Sequence, residues 1–276
     1  MSLYEYIVYS ITTRCNLNCA GCFRIGTGEQ DLPLELFRRS IPMAKRLGCG
    51  CINLSGGEPL VHPDWRSFIK ICKSANLRCF LSTNGLLIED LSQPELIDLS
   101  LLALPLDGHC AAINDKIRCP GHFEKVISLI RKYREGNFPF ILKINTVVTA
   151  DNYDFLESIL DIFSDQSQII WKLFQFAHRG EFVSNTGRSV SSDLILRKIC
   201  NFLSRKNTKC TIIYLSADSA GNYLIVDPAG HVYIPAEKFY NKIGSILDEA
   251  TICSVLDNTD LPGNTIKEQL EGTEYG

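Results

Sequence analysis

Three cysteines near the start of the chain, Cys15, Cys19 and Cys22 in the run TRCNLNCAGC, have the residue type and spacing to hold a metal centre. A closed zinc site takes four ligands, often as two separated pairs, and here the local set stops at three. An iron-sulfur cubane held by three thiolates keeps one iron open, because four thiolates complete its ligation. With 12 Cys in 276 residues, chance would produce this spacing about 0.02 times per chain. The other nine cysteines (Cys49, Cys51, Cys72, Cys79, Cys110, Cys119, Cys200, Cys210 and Cys253) form no C-x2-C pair. Scattered thiols of this kind read as small core hydrophobes in a reducing compartment, hence a cytoplasmic protein.

Further polar groups stand where strands should end. Ser55-Gly56-Gly57-Glu58-Pro59 pairs glycines, which admit close backbone approach, with a carboxylate that can accept from an ammonium group. Leu81-Ser82-Thr83-Asn84-Gly85 offers hydroxyl and amide groups, though the same residues also make ordinary capped turns. In Leu142-Lys143-Ile144-Asn145, period two sets Lys143 and Asn145 on one face, opposite the apolar residues. Facing inward, they would need an anionic partner; facing outward, Lys143 would sit at a surface edge. His178 and Arg179 follow a strand and could meet an acidic group or simply be solvated. Cys110 and Cys119 are candidate hydrogen donors by chemical type, as are Tyr214, Tyr223 and Tyr233.

Apolar runs rich in β-branched residues alternate with stretches of helical period, the pattern of βα units on a parallel sheet. Strands are predicted near 6–11, 51–54, 78–82, 100–104, 140–148 and 169–175, with helices near 33–47, 64–75, 90–98, 122–134 and 152–163. This is an α/β fold, a partial (β/α)6 TIM barrel over residues 1–176. A small α+β extension over 177–256 completes the substrate site, with a helix near 191–204, strands near 210–215, 222–227 and 230–234, and a helix near 245–256. The polar segment 257–276 is expected to be mobile. Apolar residues at 45%, charged residues at 21% and a net charge of −3 are ordinary for a globular protein and exclude an electrostatic footprint for long nucleic acid. No run of apolar residues is long enough to span a membrane.

The C-x3-C-x2-C run after an apolar strand resembles the signature of the radical S-adenosylmethionine (SAM) enzymes. The resemblance implies a [4Fe-4S] cluster on Cys15, Cys19 and Cys22, SAM chelated at the open iron, and reductive cleavage of SAM to a 5'-deoxyadenosyl radical. It implies SAM contacts from Gly56, Gly57, Glu58, Ser82, Asn84 and Asn145, and an electron donor of flavodoxin or ferredoxin type. The stretches Lys143-Ile144-Asn145, Trp171-Lys172-Leu173-Phe174-Gln175 and Asn222–Asp227 resemble the viperin-like nucleotide dehydratases. That likeness implies a small-molecule substrate, a nucleotide, whose phosphates are bound by Lys143 and Lys172; His178 and Arg179 are further substrate-binding candidates from their place after the strand alone. The run Asp227–Pro235 resembles the hairpin that opens a SPASM or twitch domain, but Pro235 stands where an auxiliary-cluster cysteine would be. A radical epimerase or ring-editing enzyme acting on a nucleotide or sugar, with Cys110 or Cys119 as hydrogen donor, is a second reading. A peptide-modifying enzyme is a third, and a noncatalytic cluster or zinc protein a fourth.

Overall fold

The structure is a computed structural model that describes residues 6–19, 22, 28–176, 188–217, 223–235 and 240–257. Strands β1 (Tyr6–Thr12), β2 (Cys51–Gly56), β3 (Arg78–Ser82), β4 (Leu101–Pro105), β5 (Ile141–Val148) and β6 (Ile169–Gln175) lie side by side and parallel. Helices α1 (Leu34–Arg46), α2 (Trp65–Ser74), α3 (Pro94–Ile97), α4 (Ala111–Ile117), α5 (His122–Glu135) and α6 (Leu156–Leu160) lie between them in sequence. The fold is α/β, with the partial-barrel arrangement expected from the alternation.

The sheet continues past both edges of the six expected strands. After helix α7 (Ser192–Leu203), β7 (Thr211–Leu215) joins β6, while β8 (Leu224–Val226) joins β1, both parallel. Antiparallel β9 (His231–Pro235) and β10 (Tyr240–Ser245) extend the β8 side, and α8 (Glu249–Asp257) closes the described chain. The resulting order is β10-β9-β8-β1-β2-β3-β4-β5-β6-β7.

Two-residue periodicity divides each strand between helix layer and lumen. In β1, Ile7, Tyr9 and Ile11 are buried outward, where Tyr9 meets Phe37 of α1 edge-on and Phe37 meets Phe68 of α2. In β6, Ile169, Trp171 and Leu173 are wholly buried outward; Trp171 packs on Phe163 and Phe202 and donates to Thr146 Oγ1 at 2.9 Å. Side chains of this size contribute roughly 1.5–3 kcal/mol each on burial, so this outer layer dominates the core. The intervening residues (Val8, Ser10, Lys143, Asn145, Ile170, Lys172) face the lumen.

Several elements differ from those expected, among them the helix near 152–163, which shortens to α6 after a 3-10 turn at Tyr153–Phe155. The helix near 90–98 contracts to α3, because the Asp90 carboxylate accepts from the Ser92 amide and hydroxyl and holds a turn there. The helix near 245–256 begins only at Glu249: residues 240–245 pair with β9, and Asp248 accepts from the Ala250 and Thr251 amides to start α8. Helix α4 has no counterpart among the expected elements; the Asn114 side chain accepts from the Asp107 amide and ties α4 to the end of β4. Residues 258–276 lie outside the described residues. Among those described, no helix is long and apolar enough to cross a membrane.

Candidate active site

The lumen holds a cavity of about 580 Å³ with Cys15, Cys19 and Cys22 in its wall. These cysteines follow β1, at the strand C-terminal end where parallel barrels assemble their sites. Their loop is fastened to the end of β2 by the backbone: the Gly57 amide donates to Thr12 O at 2.8 Å and the Glu58 amide to Arg14 O at 2.9 Å. Gly56 has φ +140°, and a Cβ on Gly57 would fall well inside contact distance of Arg14 O. The paired glycines therefore let two chain segments touch and so place the cysteine loop.

Glu58 does not line the cavity. Its fully buried carboxylate accepts from Thr83 Oγ1 at 2.6 Å, the Asn84 amide at 2.7 Å and the Leu60 amide at 3.0 Å. Burial pushes its pKa up, and these three donors pull it back. Asn84 continues the network: its Nδ2 donates to Asn16 Oδ1 at 2.7 Å, and its Oδ1 accepts from the Leu86 amide at 2.9 Å. Gly56, Gly57, Ser82 and Asn84 contribute to the cavity wall, whereas Glu58 braces them from behind. Glu58→Gln replaces a carboxylate oxygen with an NH2 facing donors, so it should cost about 2–4 kcal/mol. A denaturant titration showing no loss of stability would contradict this bracing role.

Two residues given no role in the site from the sequence, Asp107 and Arg118, lie beside the cysteines. Buried Asp107, after β4, accepts from Arg118 Nε at 2.8 Å and from Arg118 Nη2 at 2.6 Å, while its other oxygen accepts from the Val147 amide at 2.8 Å. Arg118 lines the cavity with Nη1 4.0 Å from Cys19 Sγ. Burial pushes the Cys15 and Cys19 thiols up, and the guanidinium opposes this at Cys19. The signal was present in the run Pro105-Leu106-Asp107-Gly108, but its partner becomes visible only once α4 brings Arg118 back. His122 adds to the frame, with Nε2 3.1 Å from Asn84 O and Nδ1 2.9 Å from Asn114 Nδ2; burial pushes its pKa down.

Lys143, Asn145 and Lys172 share the lumen. Lys172 is 6% exposed, and Asn145 Oδ1 is buried with no hydrogen-bond partner among the described residues. The described residues lining the cavity include Arg78, Arg118, Lys143 and Lys172 and no carboxylate. Burial pushes Lys172 down to about 7, with the Lys143 charge adding to the effect. Burial likewise pushes Lys143 down to about 8.

Cys110 stands at the N-cap of α4 and Cys119 two residues beyond the helix; neither lines the cavity. Tyr233 is also outside the lining, its hydroxyl donating to Asp227 Oδ2 at 3.0 Å; burial and that carboxylate push it up to about 12. His178 and Arg179 lie outside the described residues.

The donor set fits an iron-sulfur cluster. Three thiols share one cavity wall beside a fixed cation that suits an anionic cluster and a carboxylate ligand. Among the described residues, no three His, Cys, Asp or Glu side chains converge on a single ion. Thiolates that bind different irons of a cubane need no such convergence.

The sequence matches the Radical SAM superfamily over residues 9–162. It is 29% identical over 197 residues to an AdoMet-dependent heme synthase of Methanosarcina barkeri, covering 68% of this chain and 53% of that protein. It is 27% identical over 256 residues to an S-adenosylmethionine-dependent nucleotide dehydratase of Selenomonas ruminantium, covering 87% of this chain and 89% of that one. The chain thus spans little more than half the length of the heme synthases it matches. Among solved structures, Streptococcus suis SuiB bound to precursor peptide SuiA superposes with TM-score 0.72 at 14% identity, covering 95% of this chain and 67% of that one. At that identity the likeness shows the fold alone.

Proposed function

Because this chain belongs to the radical SAM superfamily, we propose that it is a nucleotide-modifying radical SAM enzyme that carries out a viperin-like dehydration. Cys15, Cys19 and Cys22 would hold a [4Fe-4S] cluster, which with an electron from a flavodoxin- or ferredoxin-type donor would supply reductive cleavage of the S–C5' bond of SAM to methionine and a 5'-deoxyadenosyl radical able to take hydrogen from an unactivated C–H bond.

The observation that carries the nucleotide reading is the pair of lysines below the cysteines. Two ammonium groups in one lumen with no carboxylate among the described lining residues are costly unless an anion accompanies them. A phosphate chain would supply that charge, and the unpartnered Asn145 Oδ1 would accept from a ligand hydroxyl or amine. Val8, Phe80, Ala103 and Phe174 give the remaining wall an apolar surface that limits water around a reactive intermediate. Gly56, Gly57, Ser82, Asn84 and Arg118 form the wall nearer the cysteines, where SAM would lie, so the ribose of an anchored nucleotide would be presented toward them.

The likeness to the nucleotide dehydratase, which runs along most of both chains, supports the same reading. The epimerase alternative would need Cys110 or Cys119 to face the substrate, and neither lines the lumen.

The test is anaerobic: reconstitute the cluster, add reductant and SAM, and assay 5'-deoxyadenosine against nucleoside mono-, di- and triphosphates. Stimulation by one nucleotide, with loss of water from it, is the expected result. SAM cleavage indifferent to every nucleotide would overturn the reading.

A further inference from the structure

The lumen does not end at the lysines. It continues to the N-terminal ends of the strands, where Tyr6, Arg78, Ser100, Leu101 and Ile141 line it. Arg78 is the first residue of β3, on the same face as Phe80 and Ser82. Its side chain makes no hydrogen bond or ion pair within the described residues, and the residue is exposed.

The cations of this lumen are staggered. Lys143 is in register with Ile170, and Asn145 with Lys172, so Lys143 sits two residues nearer the strand N-terminal end. That step is roughly 7 Å at strand rise. Arg78 extends the series: Ser82 of β3 is in register with Ala103 of β4, and Ala103 with Lys143, so Arg78 stands four residues nearer the strand N-terminal end than Lys143. One phosphate would meet one level of this series, whereas a chain of phosphates would meet several.

We propose that Arg78, with Lys143, forms the floor of the substrate site and takes the terminal phosphate of a nucleoside triphosphate, so that Arg78 sets selectivity for phosphate-chain length. The proposal rests on the nucleotide reading above and goes beyond it by assigning a residue to chain-length recognition. A guanidinium suits this task because its fork of donors matches a terminal phosphate, which offers more free oxygens than a bridging one.

The test measures binding of mono-, di- and triphosphates of the four common ribonucleosides to the reconstituted, SAM-loaded protein by calorimetry, for the unaltered chain and for Arg78→Met. Arg78 is exposed and at a strand end, so the substitution leaves the core untouched. The unaltered chain should prefer a triphosphate over its diphosphate by about tenfold or more, the worth of one charged hydrogen-bonded contact. Arg78→Met should lose that preference, with triphosphate affinity falling to the diphosphate level and diphosphate affinity unchanged. A retained preference, or equal weakening of all chain lengths, would overturn the assignment while leaving the nucleotide reading intact. Failure of the unaltered chain to bind any nucleotide would instead overturn the nucleotide reading itself, and the assignment with it.

Discussion

Alanine at any one of Cys15, Cys19 or Cys22 is expected to remove the cluster and with it more than a hundredfold of SAM cleavage. Losing even an outer partner of a metal ligand costs about 10–100-fold, and here a ligand itself is lost from a set of three. No other cysteine lines the cavity to replace it. Cys110→Ala and Cys119→Ala provide the contrast, since both thiols lie outside the lumen lining. The measurement is iron and sulfide per chain after anaerobic reconstitution, with the absorbance of the cluster and 5'-deoxyadenosine formation alongside. Full cluster content in Cys19→Ala, or loss of it in Cys110→Ala, would refute the assignment of ligands.

Lys172→Met is expected to stabilise the protein while removing nucleotide binding. Lys172 is pushed from the ordinary lysine value of 10.5 down to about 7 by burial, so the folded state binds its proton less readily than the unfolded state. Above about pH 10.5 both states are neutral and the residue costs nothing. As pH falls toward 7 the unfolded state gains the proton first, and the cost grows; below 7 it is complete. Every tenfold loss of proton affinity on folding is worth about 1.4 kcal/mol, and relaxation of the surrounding groups reduces the total, leaving a penalty on the order of 3 kcal/mol. For a chain of this length that corresponds to a rise in Tm of roughly 5–10 °C at or below pH 7, shrinking toward pH 10.

A bound phosphate chain should reverse the sign. It would raise the pKa values of both Lys172 and Lys143, so the unaltered chain should gain stability from the nucleotide and take up protons on binding between about pH 7 and 9. Thermal unfolding at pH 6.5 and 9.5, with and without nucleotide, separates these effects. A variant less stable than the parent at pH 6.5 would show that Lys172 already has a partner in the folded protein.

The difference between Glu58 and Lys172 illustrates how far local pattern reaches. In the sequence both read as ligand-facing polar groups following or lying on strands. Lys172 does face the lumen, because side-chain alternation along β6 is a property of the strand alone. Glu58 turns away, because its nearest donors, Thr83 and Asn84, come from the next strand's turn, more than twenty residues along the chain. Helix α3 and strand β10 show the same limit: side-chain caps at Asp90 and Asp248 and pairing with β9 override propensity over a few residues.

By itself the sequence determined the cysteine triad, the βα alternation, the turns after β2 and β3, and the polar face shared by Lys143 and Asn145, because each is written in spacing along one segment. Tertiary packing around the curled sheet decided the rest. It set Arg118 against Asp107 and Cys19, made the glycines a contact between two chain segments, and added β7 and β8 to the edges. It also gathered Arg78, Arg118, Lys143 and Lys172 into a lumen whose described lining carries no carboxylate, in a protein of net charge −3. Net charge sums over the whole chain, whereas the field inside a barrel depends on which side chains its few inward positions select, and that selection exists only in three dimensions.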